Sequence, residues 1–295
     1  DINVSHSNFF IYIKTTRGEY ALKFYPAGTA KTIALEYVFN HFLINQHFPT
    51  PLMHADSTGC PFFTSNGRLA TCFIYIKGHQ AWKNIRQRKT IHQINAAMLS
   101  LKNILIKTQG RIPFKKQTSF TTTVKTITQS FDAIGSYDNK EIIESSLKDA
   151  CRTYQLHQPL FTRQWLHNNA SLTNFIINKN KIFTLDLSHI QEDYTLSDLA
   201  NLNISCLFFN IPKTIIKNII NDYFTQHKLG SKNMSVLSVH IKIGLIKEYL
   251  KNIRREKSMG LSKNTSKLTK SYLFHLKARK KLIISALLSP TIDQV

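Results

Sequence analysis

Carboxylates are scarce in this 295-residue chain: 17 Asp and Glu stand against 39 Lys and Arg, a formal net charge of +22. That balance argues against an acidic pocket for a polycationic ligand and favours anionic partners such as nucleotides, nucleic acid or acidic membrane. A general richness in Lys, Asn and Ile explains it as well. Cysteine is sparse too. Cys60, Cys72, Cys151 and Cys206 lie far apart with no C-x-x-C pair, which excludes a zinc ribbon or disulfide frame and points to reduced thiols in the cytoplasm. No apolar run reaches the roughly 18 residues of a spanning helix, and no signal-peptide pattern opens the chain, which begins at Asp1 rather than Met. Only ten glycines are present, and no G-x-x-x-x-G-K-[ST], H-E-x-x-H or G-x-S-x-G motif occurs. There is no internal repeat.

Hydrophobic residues make up 42% of the chain, enough for a globular protein with real cores. The stretch from Trp165 to Leu202 (WLHNNASLTNFIINKNKIFTLDLSHIQEDYTLSDLANL) is the most informative. Phe175-Ile176-Ile177 and Ile182-Phe183-Thr184-Leu185 read as short strands joined by a polar turn over 178–181, so a hairpin is expected. The hairpin brings Asn174 and Asp186 to one edge. An amide oxygen beside a carboxylate is a hard oxygen site suited to magnesium, with positions left for water and phosphate oxygens. On spacing alone, a plain hairpin with polar ends reads as well.

Before this stretch, strands are expected over 8–16 and 19–25, with Lys23 between Leu22 and Phe24 on the second. By itself Lys23 reads as a solvent-facing strand lysine. Residues 29–47 read as a helix with Leu35, Val38, Phe39, Phe42 and Leu43 as its apolar face, and Glu36 near its middle. Further strands are expected over 52–56, 62–65 and 69–77, giving five strands and one helix. An amphipathic helix over 89–108 presents Ile91, Ile94, Met98, Leu101 and Leu105 on one side. Residues 109–128 read as polar loop and helix start, and 130–154 as helix interrupted near Gly135. Beyond Asp198, helices are expected over 199–209, 211–227 (opened by Pro212) and 235–255. Residues 251–281 carry eleven Lys and Arg and one acid, Glu256, with Tyr272, Phe274 and Leu276 interleaved. That pattern reads as a helix packing its apolar side and keeping its lysines solvated, with nucleic acid or an acidic surface as the other use.

The Trp165–Leu202 stretch resembles the catalytic region of the aminoglycoside phosphotransferase and homoserine kinase families, which share the protein-kinase-like fold. Their pattern is His-x-Asp-x-x-x-x-Asn, a hairpin, an Asp between apolar residues, and a helix starting near a further Asp. His167, Asn174, Asp186 and Asp198 match it; the catalytic Asp position holds Asn169, which carries no charge and accepts no proton as a base. The resemblance is specific in this stretch and extends by element order over roughly 1–230. It implies an α+β fold with a small antiparallel-sheet N-terminal lobe (1–78, lacking its first strand) and a larger, mainly helical lobe (79–295). It implies ATP and magnesium as cofactors. Asn174 and Asp186 are the implied metal ligands, and Lys23 the phosphate-orienting lysine held by Glu36. Ser5 and Ser7 lie in the loop over the phosphates. Ile74 and Ile76 lie in the hinge FIYIKG, whose backbone meets adenine. His167 and Asp198 brace the loop, and Asn169 positions the acceptor hydroxyl.

Three functions are therefore expected in order: a small-molecule phosphotransferase acting on a hydroxyl, slowed by Asn169; a nucleotide-binding pseudokinase that serves as an interaction module; and a basic nucleic-acid-binding protein.

Overall fold

Aromatic and β-branched residues crowd the N-terminal segment and build a six-stranded antiparallel sheet. Its strands are β1 (Ile2–Val4), β2 (Phe9–Thr15), β3 (Gly18–Tyr25), β4 (Met53–His54), β5 (Phe63–Ser65) and β6 (Arg68–Ile74), in the order β1-β2-β3-β6-β4, with β5 also on β6. The computed structural model describes residues 2–4, 9–107, 119–260 and 267–289. The first strand expected to be missing is partly present, since Ile2–Val4 pairs with Phe9–Ile11. β3 lies inside the sheet, with Phe10 and Thr71 opposite Lys23 on its two neighbours.

Helix α1 (Ala30–Asn45) packs beside this sheet and keeps Phe39 and Leu43 of the expected face inside, but the buried stripe is rotated. Its buried residues are Ile33, Glu36, Phe39, Asn40 and Leu43, while Val38 is exposed. The stripe is rotated because two polar side chains have partners inside. Asn40 donates to the Pro51 carbonyl at 2.7 Å and accepts from the Met53 amide at 2.8 Å, and Glu36 meets groups described below. A buried polar group with its hydrogen bonds made costs little, so hydrophobicity alone does not choose the face.

Beyond β6, β7 (His79–Gln80) leads into α2 (Arg88–Ile106). Every apolar residue expected on α2's inner face is buried. The expected hairpin is β9 (Phe175–Asn178) and β10 (Lys181–Thr184), with Phe175 opposite Thr184 and Asn178 opposite Lys181, and β7 adds a third strand against β9. Gly78 permits that addition: a Cβ there would lie 2.3 Å from the Ile177 carbonyl oxygen, and its φ is +156°. α2 is tied to the hairpin turn by Lys89 and Gln93, which donate to Asn180 at 2.9 and 2.8 Å.

Two compact units result, one of Asp1–Ile112 with Leu172–Ile190 and one of Pro113–Ser171 with Gln191–Val295. α2 and the hairpin belong to the first unit together with the N-terminal sheet.

The second unit is mainly helical: α3 (Phe120–Ile134), α4 (Lys140–His157), α5 (Ser197–Phe208), α6 (Lys213–Gln226), α7 (Asn233–Gly260) and α8 (Lys267–Leu287), with one ribbon of β8 (Arg163–Leu166) on β11 (Gln191–Tyr194). α7 runs through its core, burying Val239, Leu245, Ile246 and Tyr249. Gly244 lets α5 approach, since a Cβ there would come within 2.4 Å of Ile204 Cδ1. α3 ends at Gly135 (φ +74°), the expected interruption. In α8, Leu276, Ile283 and Leu287 are buried, Phe274 is exposed and Lys280 pairs with Glu256 at 2.6 Å. The basic segment thus packs its apolar side, as read from the sequence. Among the described residues no helix is long and apolar enough to cross a membrane.

Candidate functional site

Lys23 is 1% exposed, not a solvent-facing strand lysine. A buried ammonium needs paired negative charge, and two carboxylates supply it. Nζ donates to Glu36 at 3.1 Å (Oε1) and 3.3 Å (Oε2), and to Asp186 Oδ1 at 2.6 Å. Burial pulls the lysine pKa down, but Glu36 and then Asp186 more than reverse this, and it ends above its ordinary value. Strand alternation places Tyr25 on the same face of β3 as Lys23. Its hydroxyl donates to Glu36 Oε2 at 2.5 Å, and Lys23 Nζ sits 4.6 Å from the centre of its ring.

The hairpin positions Asp186. Leu185 N donates to the Asn174 carbonyl at 2.8 Å, one step beyond the Phe175–Thr184 pair, so Asn174 and Asp186 flank the hairpin's open end. Asp186 adopts a left-handed backbone (φ 58°, ψ 61°), which an Asp tolerates better than most residues. Ser188 Oγ donates to Asp186 Oδ1 at 2.7 Å, and His189 Nε2 lies 3.8 Å from Oδ2. Burial raises the Asp186 pKa, but Lys23 and then His189 outweigh it and hold the carboxyl well below the usual carboxylate range. An ionised carboxylate and an amide at one hairpin end suit the donor chemistry of magnesium. No group of three or more His, Cys, Asp or Glu side chains forms a metal cluster among the described residues.

The second unit holds the other half of the motif. The β8–β11 ribbon pairs Leu166 with Gln191, which sets the loop after β8 near the start of α5. Asp198, in the first turn of α5, is 3% exposed and accepts the backbone N–H of His167 at 3.0 Å and of Asn168 at 2.7 Å. His167 is 1% exposed and its Nδ1 accepts from the Asn169 N–H at 3.2 Å. Ser171 N donates to the Asn169 carbonyl at 2.7 Å, and the Ser171 and Ser205 hydroxyls are 3.0 Å apart. Asn168 has φ 57°. The loop bearing Asn169 is therefore fixed by its backbone. Burial raises Asp198 to about 7, against the two backbone donors. Burial also raises nearby Asp193 to about 6.

Of the other expected residues, Ser5 and Ser7 lie outside the described residues. Ile74 is the last residue of β6 and its amide donates to the Leu52 carbonyl at 2.9 Å; Ile76 follows the strand. Sequence reasoning missed Tyr25, Ser188 and His189. Tyr25 had a signal, its position two residues after Lys23 on one strand face. Ser188 and His189 had only their nearness to Asp186.

No protein-family model and no curated protein matches the sequence. Solved structures do match its fold. An amicoumacin kinase in complex with AMP-PNP, Ca2+ and Ami is similar with a TM-score of 0.70 and 11% identity, over 98% of this chain and 89% of that one. A microcompartment-associated aminopropanol kinase gives 0.69 and 11%, over 99% and 91%. An ethanolamine kinase of Plasmodium vivax gives 0.64 and 14%, over 100% and 83%. The fold is the α+β, protein-kinase-like fold of aminoglycoside phosphotransferases and choline/ethanolamine kinases.

Proposed function

We propose that this chain is an ATP- and magnesium-dependent phosphotransferase, acting in the cytoplasm on a hydroxyl of a small molecule. The observation that carries the reading is the buried Lys23 ammonium held at once by Glu36 and Asp186. Such a centre is expensive to bury unless charge is needed there. Lys23, fixed by Glu36, orients the nucleotide phosphates. Asn174 and Asp186 hold magnesium, which when bound neutralises phosphate charge. The backbone at Ile76 meets adenine, the Ile74 amide being engaged by Leu52. Asp198 and His167 hold the loop, and Asn169 orients the acceptor hydroxyl. The hydroxyl oxygen bonds to the γ-phosphorus as the bond to the departing nucleotide oxygen breaks, and its proton passes to water.

The fold supports this reading, since similar structures include kinases of small molecules, one in complex with AMP-PNP and Ca2+. Four free cysteines suit the cytoplasm. The acceptor class is an alcohol such as homoserine, choline, an amino alcohol, a sugar or an aminoglycoside, with the scarcity of carboxylates disfavouring the last. One observation favours a second reading, a nucleotide-binding pseudokinase: Asn169 in place of the base. Incubating the native chain with γ-labelled ATP, magnesium and each acceptor in turn tests the proposal. Label transfer to one acceptor supports it, and magnesium-dependent nucleotide binding with no transfer to any acceptor favours the pseudokinase.

A further inference from the structure

We infer that Tyr25 is a positioning residue of the nucleotide site, acting through Glu36 to aim Lys23. The inference rests on the nucleotide reading above. Around Lys23 two carboxylates share one ammonium, leaving an excess negative charge in a pocket nearly closed to water: Lys23 and Glu36 are each 1% exposed. That arrangement needs a further donor beside the carboxylates. Ser188 supplies one to Asp186, and the Tyr25 hydroxyl supplies the one to Glu36, 2.5 Å from Oε2. Tyr25 is itself 3% exposed, packed with Ile33 and Met53.

The geometry goes further than a satisfied hydrogen bond. Glu36 is gripped on one oxygen by Tyr25 and reached on both by Lys23, so the carboxylate cannot turn without breaking a contact. The Tyr25 ring meanwhile lies 4.6 Å from the ammonium, within cation–π range. Lys23 is bonded directly to Asp186, the proposed metal ligand, at 2.6 Å. To engage a phosphate oxygen, the ammonium must loosen that bond while keeping Glu36. A rigid Glu36 and a ring beside the ammonium hold the lysine's direction through the exchange. A phenylalanine at position 25 keeps the ring and loses the grip on Glu36.

The test is calorimetric titration of the full chain with magnesium and AMP-PNP, for the native protein, Tyr25→Phe, Glu36→Gln and the double variant, with melting temperatures alongside. Tyr25→Phe is expected to weaken binding about tenfold, the scale of one hydrogen bond to a charged group. In the Glu36→Gln background the same change is expected to cost less than about twofold, because residues acting as one unit are not additive. Tyr25→Leu, which also loses the ring, is expected to bind more weakly than Tyr25→Phe. If Tyr25→Phe does not fold, the double variant is expected to fold, since it removes the buried carboxylate that has lost its second donor, and a double variant that also fails overturns the inference. Native binding that Tyr25→Phe leaves unchanged, or an equal loss in the Glu36→Gln background, overturns this inference alone. A native chain that binds no magnesium AMP-PNP overturns the nucleotide reading, and this inference with it.

Discussion

Lys23 Nζ and Asp186 Oδ1 lie 2.6 Å apart although 163 residues separate them in the chain. The contact joins the central strand of the N-terminal sheet to the hairpin that follows the loop of Asn169. Lys23 is sealed from water and Asp186 is only partly exposed: the two side chains are 2% and 16% exposed. The pair is what turns two polar positions of a sequence pattern into a charged centre.

Asp186→Ala is expected to abolish magnesium-dependent nucleotide binding while leaving the chain folded. Lys23 keeps Glu36 as a buried partner in that variant, so the lysine charge is not orphaned. Calorimetric titration with magnesium AMP-PNP checks this. Unchanged affinity in a folded variant contradicts the metal role of Asp186.

Asp198→Ala is expected to destabilise the protein by roughly 2–4 kcal/mol, the usual cost of breaking a buried polar network. The carboxylate accepts two backbone N–H groups, of His167 and Asn168, and the alanine leaves both unpaired. Thermal or denaturant unfolding checks it. A melting temperature near that of the native chain would make Asp198 a minor contributor.

Stability should fall as pH rises through the range in which Asp193 ionises. Its folded pKa is raised to about 6 by burial, above the usual value of about 3.9. The folded state therefore holds the proton more tightly, and the benefit is complete below about pH 4 and lost as pH passes about 6. Asp193→Asn removes that titration, so between about pH 4 and 7 the native chain should lose on the order of 2 kcal/mol relative to the variant. Urea unfolding of both across this range measures the difference, and parallel pH profiles would contradict the assignment.

The sequence displayed some parts of this structure and hid others for identifiable reasons. The α2 stripe was legible because five apolar residues, Ile91 to Leu105, recur at helical spacing and all five are buried. The hairpin and the helix behind Asp198 were legible because polar turn residues separate short apolar runs. The face of α1 was only partly legible, because Glu36 and Asn40 turn inward to partners on β3 and in the segment leading into β4, leaving Val38 in solvent. The β8–β11 ribbon was hidden as well: Arg163–Leu166 and Gln191–Tyr194 are four residues each and mix charge with aromatics, so neither shows a clean alternation. At the candidate site, the sequence pattern drew attention to Lys23, Glu36, His167, Asp186 and Asp198, whereas Tyr25 has no motif and emerges only when β3 and α1 are seen packed together.

The most direct test of the central claim compares Asn169→Asp with the native chain. Both are incubated with γ-labelled ATP and magnesium over a panel of homoserine, choline, amino alcohols, sugars and aminoglycosides. The carboxylate restores a charged proton acceptor on a loop whose backbone is already fixed by Asp198 and His167. Turnover on one acceptor should rise by about 10²–10⁴-fold, the worth of a general base, with nucleotide affinity little changed because the role proposed for the residue is toward the acceptor and not the phosphates. If Asn169→Asp transfers no label to any acceptor while both forms still bind magnesium and nucleotide, the phosphotransferase account is contradicted.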